Sequence, residues 1–483
     1  MNKEKNPSLK MNIALNMLYE VLVVITPLIT APYVSRVLQA DGVGINSYTT
    51  SLLTYFTLFA SLGTANYGKK VIAAHRDDIS SYSKAFWEIE LITVFTTTIC
   101  LAIWITFAFL YKQYTAYMLV LSFTLLSALF DISWLYGGLE KFQYTVTVNS
   151  LFKIASVICI FIFVNDKEDV LVYTAIMAIS TLLGNVSMWL FLPKQVIITK
   201  IERSSIIKHL RGTLVYFGPT IATSIYTVLD KTLIGIITDS NLQNGYYEQA
   251  TKIINIVKSV CFNSINGVMV ARASFLYSHN NVVELNKIKD ISYHIITFLS
   301  IGACFGLIGV SDIFVPFFFG EGYESVVGLI TILSIVVVVI GISSVANTVY
   351  YVAGGYMRKA TKLILIGSLT NLILNIVLIT KYQAIGAAIS TLIAESVITI
   401  LFVHGTEGFI KWSDIASVIS KKIVSGIVML ICILMIKRII VGMNDAAMLA
   451  VMFSAGALVY ILILALLRDP SLRYGVLWLK RKR

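Results

Sequence analysis

Residues 142–164 read FQYTVTVNSLFKIASVICIFIFV and contain a single charged side chain, Lys153, near their middle. An apolar stretch of about twenty residues is the length that an α-helix needs to cross roughly 30 Å of hydrocarbon. The stretch therefore predicts a membrane-spanning helix. A charge at the centre of a bilayer costs roughly 2.5 to 3.5 kcal/mol, so such a residue usually faces a water-filled cavity or a partner. Lys153 is on these grounds a candidate for a substrate or ion path.

Similar apolar stretches, separated by short polar segments, occur along the whole chain. Of its 483 residues, 57% are hydrophobic and only 13% are charged, and the mean hydropathy is +0.82. This composition excludes an ordinary soluble protein. It predicts an all-α polytopic membrane protein with about fourteen transmembrane helices. The expected spans are 11–38, 42–68, 85–110, 114–136, 142–164, 170–192, 213–237, 245–271, 291–316, 325–352, 361–379, 384–404, 422–441 and 446–467.

Basic residues exceed acidic ones, with 38 Lys and Arg against 26 Asp and Glu. In a soluble protein such an excess would suggest nucleic acid as a partner. Here the basic residues lie mainly in alternate connecting segments, of which 193–212 is the widest. Because cytoplasmic loops carry the excess of Lys and Arg, this distribution predicts a multi-pass protein of the plasma membrane with both termini cytoplasmic. Nucleic acid is not an expected partner.

The sequence contains no convincing motif for catalysis or metal binding. The five cysteines lie singly within apolar stretches, which suggests neither disulfides nor a zinc site. Residues 63–70, GTANYGKK, resemble the phosphate-binding P-loop, but Lys70 replaces the hydroxyl that should bind magnesium. The segment also ends a span instead of following a strand. We therefore expect no enzyme, no cofactor and no metal site.

Polar side chains recur at helical spacing in two spans, 202 residues apart at all but one position. Residues three or four apart share a helix face. The stripes are Asn46, Thr50, Thr54, Thr57, Ser61 and Thr64 in the second span, and Glu248, Lys252, Asn255, Ser259, Asn263 and Asn266 in the eighth. A second parallel joins 150–153 (SLFK) to 368–371 (SLTN). We predict two six-helix lobes in parallel repeat around a central cavity, residues 1–200 and 201–410, and two further helices with a basic tail in 411–483.

Five basic residues lie within spans or at their edges and are candidates for binding a diphosphate. Lysine meets such an anion as a point cation and arginine as a bidentate fork. The candidates are Arg36, Lys153, Lys231, Lys252 and Lys258. Structural roles stay open for three of them. Lys252 can pair with Glu248 four residues away, while Lys231 and Arg36 can extend to the outer interface.

Further candidates are polar or acidic. The predicted cavity lining comprises Thr50, Thr57, Ser61, Asn255, Asn263 and Asn371. The alternative is that these side chains only hold helices together in lipid. Candidates for binding a coupling proton or sodium ion are Glu20, Asp131, Asp230 and Glu395. A carboxylate within a span can take up such an ion, or it can simply neutralise one of the lysines.

Three segments near the N-terminus read APYVSRVL at 31–38, GVGI at 42–45 and SLGTANYG at 61–68. With AIGAA at 384–388, which opens the twelfth span, they resemble the Wzx-type oligosaccharide flippases. These flippases belong to the multidrug, oligosaccharidyl-lipid and polysaccharide (MOP) exporter superfamily. Members use basic cavity residues for the lipid diphosphate, and the resemblance implies that role for Arg36, Lys153 and Lys258.

The resemblance also implies an activity. It implies a bacterial inner-membrane transporter that moves an undecaprenyl-diphosphate-linked oligosaccharide from the cytoplasmic to the outer leaflet for capsule or O-antigen assembly, by alternating access. Coupling to a proton or sodium gradient is a separate hypothesis, which rests on the carboxylates within spans. Expected partners are the lipid bilayer, a polysaccharide polymerase and glycosyltransferases, and the chain itself is expected to be a monomer. Two alternatives stay open. One is an exporter of cationic drugs, which cavity lysines disfavour, and the other is a membrane scaffold for polysaccharide enzymes that transports nothing.

Overall fold

A computed structural model describes residues 9–194, 196–440 and 442–474 of the chain. Its secondary structure in these ranges is helical and contains no strand, which confirms the all-α prediction. The α-helices of the described ranges are α1 Leu9–Ser61, α2 Thr64–Ala74, α3 Ile79–Leu110, α4 Thr115–Ser127, α5 Ser133–Gly138, α6 Phe142–Phe163, α7 Val170–Met188, α8 Arg203–Thr238, α9 Asn241–Lys258, α10 Ser264–Ser278, α11 Val282–Phe319, α12 Ser325–Val345, α13 Met357–His404, α14 Trp412–Ile439 and α15 Asp445–Leu466. Two π-helical segments, Ser259–Asn263 and Ala346–Val352, follow α9 and α12.

The helices account for the predicted spans. In the part of the chain that the structure describes, eleven helical segments are long and apolar enough to cross a membrane. Helix α1 is broken at Gln39 and α13 at Gln383, so each of these two helices comprises parts of two predicted spans. Helix α8 corresponds to the predicted seventh span. Every predicted span therefore coincides with helical structure.

The two helix breaks share the sequence Gln-Ala-x-Gly. Gln39 and Gln383 have φ angles of 57° and 52°, a region that residues other than glycine enter only with strain. Gly42 and Gly386 follow three residues later. A Cβ at Gly386 would lie 2.1 Å from the carbonyl oxygen of Leu378. In a continuous helix two residues eight apart are separated by about 12 Å, so the chain turns back on itself at Gln383.

The chain forms two compact units, Met1–Thr232 and Leu233–Arg483. The first contains α1 to α7 and most of α8, and the second contains the end of α8 and all later helices. The boundary therefore falls within a helix and not in a polar linker. The finer division into six, six and two spans stays a prediction.

Glycines bring α2 and α5 together in the first unit. A Cβ added at Gly68 would lie 2.4 Å from the ring of Trp134, and one at Gly138 would lie 2.6 Å from Cβ of Ile72. Helices approach this closely only where a side chain is absent. Trp134 in turn stacks on Phe86 of α3, with ring centroids 5.5 Å apart. In the segment that resembles a P-loop, Gly68 therefore serves helix packing.

A buried ion pair joins α14 to the segment after α15 in the second unit. Nζ of Lys422 lies 3.3 Å from Oδ2 of Asp469, and the two side chains are 0% and 1% exposed. The ammonium also donates to the carbonyl of Val418 and lies 3.3 Å from Nδ1 of His294 on α11. The backbone N–H of Ser471 donates to the other carboxylate oxygen at 2.8 Å. Buried charges are tolerated when paired and hydrogen-bonded in this way.

Candidate functional site

Lys153 lies near the middle of α6. This helix has 22 residues and is therefore about 33 Å long. The side chain of Lys153 is half-buried, and it forms no ion pair with any residue that the structure describes. Thr145 and Asn149 precede it on the same helix face at steps of four. A cation at this depth without a counter-charge has the environment expected of an anion ligand.

A cavity of about 280 Å³ lies at the N-terminal end of α6, in line with Lys153. Its walls come from the first unit, from α1, α2, α5 and α6. The lining residues are Tyr19, Ala65, Asn66, Lys69, Ser133, Trp134, Gly137, Phe142, Thr145, Val146 and Asn149. The predicted site residues do not include any of these, because the cavity depends on the close approach of α2 and α5.

Lys258 is half-buried and ends α9, immediately before the π-helical segment Ser259–Asn263. A π-helical turn inserts an extra residue into a helix and is found frequently at functional sites. The structure thus places the second predicted lysine at an irregular point of its span. Lys153 belongs to the first unit and Lys258 to the second. Their joint role stays a prediction.

Lys258 interacts with other residues, and so do the remaining three basic candidates. Lys252 and Glu248 form an ion pair with 3.6 Å between Nζ and Oε1, so the pairing alternative is confirmed for Lys252. Arg36 is exposed and Lys231 is half-buried, and both interact with other residues. Their role in binding a diphosphate stays a prediction.

The predicted polar lining residues occupy different environments. Thr57 and Ser61 donate their hydroxyls to carbonyls of their own helix, at 2.9 and 3.2 Å, and Thr50 and Asn255 are exposed. Asn371 is fully buried and accepts a hydrogen bond of 3.0 Å from Nδ2 of Asn375. The side chain of Asn263 lies outside the described part of the structure. Which of these residues line a cavity stays a prediction.

The acidic candidates in the described part are all engaged with other groups. The carboxylate of Asp131 accepts the backbone N–H of Ser133 at 3.0 Å, at the start of α5. Asp230 is 6% exposed, Glu395 is half-buried, and both have interaction partners. The side chain of Glu20 lies outside the described residues. Ion binding by these four residues stays a prediction.

Glu90 of α3 is a buried carboxyl that the sequence-based choice of site residues left out. It is 3% exposed, and neither of its oxygens has a hydrogen-bond partner among the described residues. An ionisable residue inside a span marks a functional site by default. Its position within a span was visible in the sequence, but its lack of a partner was not.

A hydrogen-bonded network fixes the start of α8 to the first unit. Nε2 of His209 lies 3.2 Å from a carboxylate oxygen of Glu88, and Nδ1 lies 2.9 Å from the hydroxyl of Tyr67. Ser205 donates to Glu88 at 2.7 Å. Burial lowers the pKa of His209, and Glu88 offsets this shift only in part. The imidazole is therefore neutral at pH 7, and the network is a structural one.

Comparison with known proteins gives both a family and relatives. Residues 9–274, more than half of the chain, match the family described as polysaccharide biosynthesis protein. The chain is 25% identical over 406 residues to the putative O-antigen transporter of Escherichia coli (strain K12), which covers 81% of this chain and 96% of the relative. It is also 25% identical over 273 residues to the probable low-salt glycan biosynthesis flippase Agl15 of Haloferax volcanii, over 52% and 54% of the two chains.

Solved structures show the same fold. The lipid II flippase MurJ in an inward closed conformation is similar with a TM-score of 0.75 and 17% identity, covering 95% of this chain and 99% of that one. An inward-facing multidrug resistance MATE family transporter of the MOP superfamily gives a TM-score of 0.60 and 13% identity, covering 82% and 98%. At these identities the likeness shows a shared all-helical fold and nothing further.

Proposed function

Because the chain belongs to the polysaccharide biosynthesis protein family, we propose that it is a Wzx-type flippase that moves a lipid-linked oligosaccharide across the membrane. The descriptions of two relatives support this proposal. One is a putative O-antigen transporter and the other a probable flippase of glycan biosynthesis. Transport, and not catalysis, is then the activity of this multi-pass membrane protein.

The substrate we propose is an undecaprenyl-diphosphate-linked repeat unit, and Lys153 is the observation that carries this choice. Its ammonium is half-buried near the middle of α6 and has no ion-pair partner in the described part of the chain. The roughly 2.5 to 3.5 kcal/mol cost of a charge at this depth needs a compensating interaction. A diphosphate supplies that counter-charge during transport, whereas a cationic drug would add to the repulsion.

The transport cycle that fits this substrate is alternating access from the cytoplasmic to the outer leaflet. The prenyl chain remains in lipid, and the diphosphate and the glycan pass along polar side chains of the second and eighth spans. We place the protein in the bacterial inner membrane with both termini cytoplasmic, because Lys and Arg concentrate in alternate connecting segments. Ion coupling through Glu20, Asp131, Asp230 or Glu395 is part of the proposal.

Substitution of the two mid-span lysines tests the proposal. We expect Lys153→Ala and Lys258→Ala each to reduce export of surface polysaccharide about tenfold or more, because each removes a charge-assisted contact to the diphosphate. The measurement is surface polysaccharide together with the amount of lipid-linked repeat unit retained by the cells. Protein levels should be unchanged. Lys112→Ala is the matched control, since Lys112 is exposed.

Normal surface polysaccharide in both lysine variants would contradict the assignment. An exporter of cationic drugs predicts normal surface polysaccharide and improved drug efflux when Lys153 is removed, because a repulsive charge is lost. A scaffold without transport predicts no change in either measurement. The three functions therefore give three different results from the same pair of strains.

A further inference from the structure

The cavity at the N-terminal end of α6 contains polar side chains that are not committed to the fold. The Lys69 ammonium and the amides of Asn66 and Asn149 line it, and none of them forms a hydrogen bond or an ion pair with a described residue. Two of these residues come from α2 and one from α6. Asn66 and Lys69 are exposed and Asn149 is half-buried, so all three donors are available to a ligand that enters the cavity.

The surrounding helices hold Lys69 in place. Gly68 and Gly138 allow α2 to lie directly against α5, as described above. Gly137 has no side chain, and a Cβ there would lie 3.4 Å from Cδ and Cε of Lys69, so the lysine stem runs along this glycine. The ammonium then lies 5.4 Å from the centroid of the Phe142 ring. The glycines thus pack the helices and also direct a cation toward the cavity.

The charge and the size of the cavity select the class of ligand. Lys69 is the one charged residue among the eleven that line the cavity, and no carboxylate is among them. Ammonium and amide donors without a nearby anion suit a ligand with several phosphate oxygens. The volume of about 280 Å³ lies near the lower end of the ~300–1,000 Å³ typical of small-molecule pockets. It fits a head-group fragment and not a complete oligosaccharide.

We propose that this cavity is a loading site that binds the diphosphate of the substrate before the diphosphate reaches Lys153. This inference rests on the proposed function and adds a place and a ligand to it. Asn149 at the cavity and Lys153 share one face of α6, four residues or about 6 Å apart. The cavity also lies on the side that the charge distribution predicts to be cytoplasmic. Lys69 lies over the ring of Phe142, eleven residues before Lys153, so a diphosphate that leaves Lys69 moves about 16 Å, or three helical turns, along α6 to reach Lys153.

Binding of inorganic pyrophosphate to the purified full-length chain in lipid nanodiscs tests the site. We expect Lys69→Gln to weaken binding about tenfold or more, because a charge-assisted contact is lost. Asn149→Asp, which is equal in size but adds a negative charge to the cavity, should abolish binding. Lys70→Gln is the matched control. The neighbouring Lys70 carries the same charge but lies over the ring of Tyr216 and does not line the cavity.

Two further measurements separate the outcomes. Undecaprenyl diphosphate added to the nanodiscs should displace pyrophosphate. Displacement of pyrophosphate by undecaprenyl diphosphate supports a lipid as the source of the anion. Pyrophosphate binding that undecaprenyl diphosphate does not displace overturns the loading role and indicates a site for free anions. Lys153→Ala should retain the Lys69-dependent binding while losing export. If Lys69→Gln, Lys70→Gln and the unchanged chain bind pyrophosphate with equal affinity, the loading site is overturned but the proposed function is not. If Lys153→Ala and Lys258→Ala both export polysaccharide normally, the proposed function is overturned.

Discussion

Glu90 and Thr97 lie on α3 two turns apart, and both keep buried oxygen atoms without hydrogen-bond partners among the described residues. An unsatisfied buried polar group costs about 1 to 3 kcal/mol, and a charged one costs more. The hydroxyl of Thr97 is a minor cost that packing can absorb. A carboxyl in the same position is a larger cost, and a residue retained against stability indicates a function.

We expect Glu90→Leu to raise the unfolding temperature of the protein and to reduce polysaccharide export. The stability gain follows because the substitution removes a carboxyl with no partner and leaves an apolar side chain in its place. Export falls if the carboxyl takes part in the transport cycle. Thermal unfolding of the full-length protein in detergent and surface polysaccharide in cells are the two measurements.

Thr97→Val is the control for Glu90, because it removes another unpaired buried oxygen from α3 with little change in shape. This variant should gain a little stability and export normally. Normal export by Glu90→Leu would show that the Glu90 carboxyl has no part in the transport cycle. If Glu90→Leu unfolds at a lower temperature than the unchanged protein, the Glu90 carboxyl has a hydrogen-bond partner in the membrane.

Residues whose partners are close in sequence were predictable. The pairing of Lys252 with Glu248 follows from a spacing of four, and the mid-span position of Lys153 follows from the length of its apolar stretch. Lys69 and Glu90 were not predictable as site residues. The cavity around Lys69 requires α2 to contact α5, and the isolation of Glu90 depends on every helix that surrounds it. Neither fact has a local signal in the sequence.

At the scale of single helices, the Gln-Ala-x-Gly turn of α13 can be tested at its glycine. We expect Gly386→Ala to destabilise the protein by about 1 to 3 kcal/mol, as overpacking does, because the added Cβ would lie 2.1 Å from the carbonyl oxygen of Leu378. The measurement is thermal unfolding of the purified protein. Gly267→Ala is the control, since no described atom beyond its own stretch of helix lies within 4 Å of its added Cβ. Equal unfolding temperatures for the two variants would contradict the tight turn.

The sequence predicted the spans well, because a twenty-residue apolar stretch has few other structures open to it. It did not predict that Gln39 and Gln383 would adopt positive φ angles. Glutamine carries no propensity for that region, and the nearby glycines at 42 and 386 were recognised only as parts of a family motif. Their role in the turns follows from contacts in the folded structure, which the sequence alone does not show.

At the scale of the whole chain, the buried pair of Lys422 and Asp469 holds α14 and the segment after α15 together. We expect Lys422→Met alone to lower stability by about 3 to 5 kcal/mol, because it leaves a buried carboxylate without its counter-ion. The double variant Lys422→Met with Asp469→Leu should recover most of that loss, since no charge then remains buried. Thermal unfolding of the unchanged protein, the single variant and the double variant measures the loss and the recovery of stability. Susceptibility of the last two helices to proteolysis is the second measurement.

The exposed pair of Lys359 and Glu407, at 2.7 Å, provides the control. Its side chains are 38% and 75% exposed, so water compensates either charge and Lys359→Met should have little effect. Equal losses of stability in Lys359→Met and Lys422→Met would show that burial does not determine how much an ion pair contributes to stability. The pairing of Lys422 was beyond prediction from sequence because its partner is 47 residues away, in a segment expected to be a cytoplasmic tail.

The turn at Gln383 also has a consequence for biosynthesis. Only residues 380–383, TKYQ, connect the two apolar halves of α13, so the halves follow each other with almost no loop between them. In the proposed orientation, with both termini cytoplasmic, Lys381 lies two residues before the turn on the outer side and crosses the hydrocarbon during insertion. Two apolar helices that enter the bilayer together can offset the free-energy cost of moving this charge through the hydrocarbon. A single helix would have to offset that cost alone. We therefore expect the two halves of α13 to insert into the membrane together, as a helical hairpin.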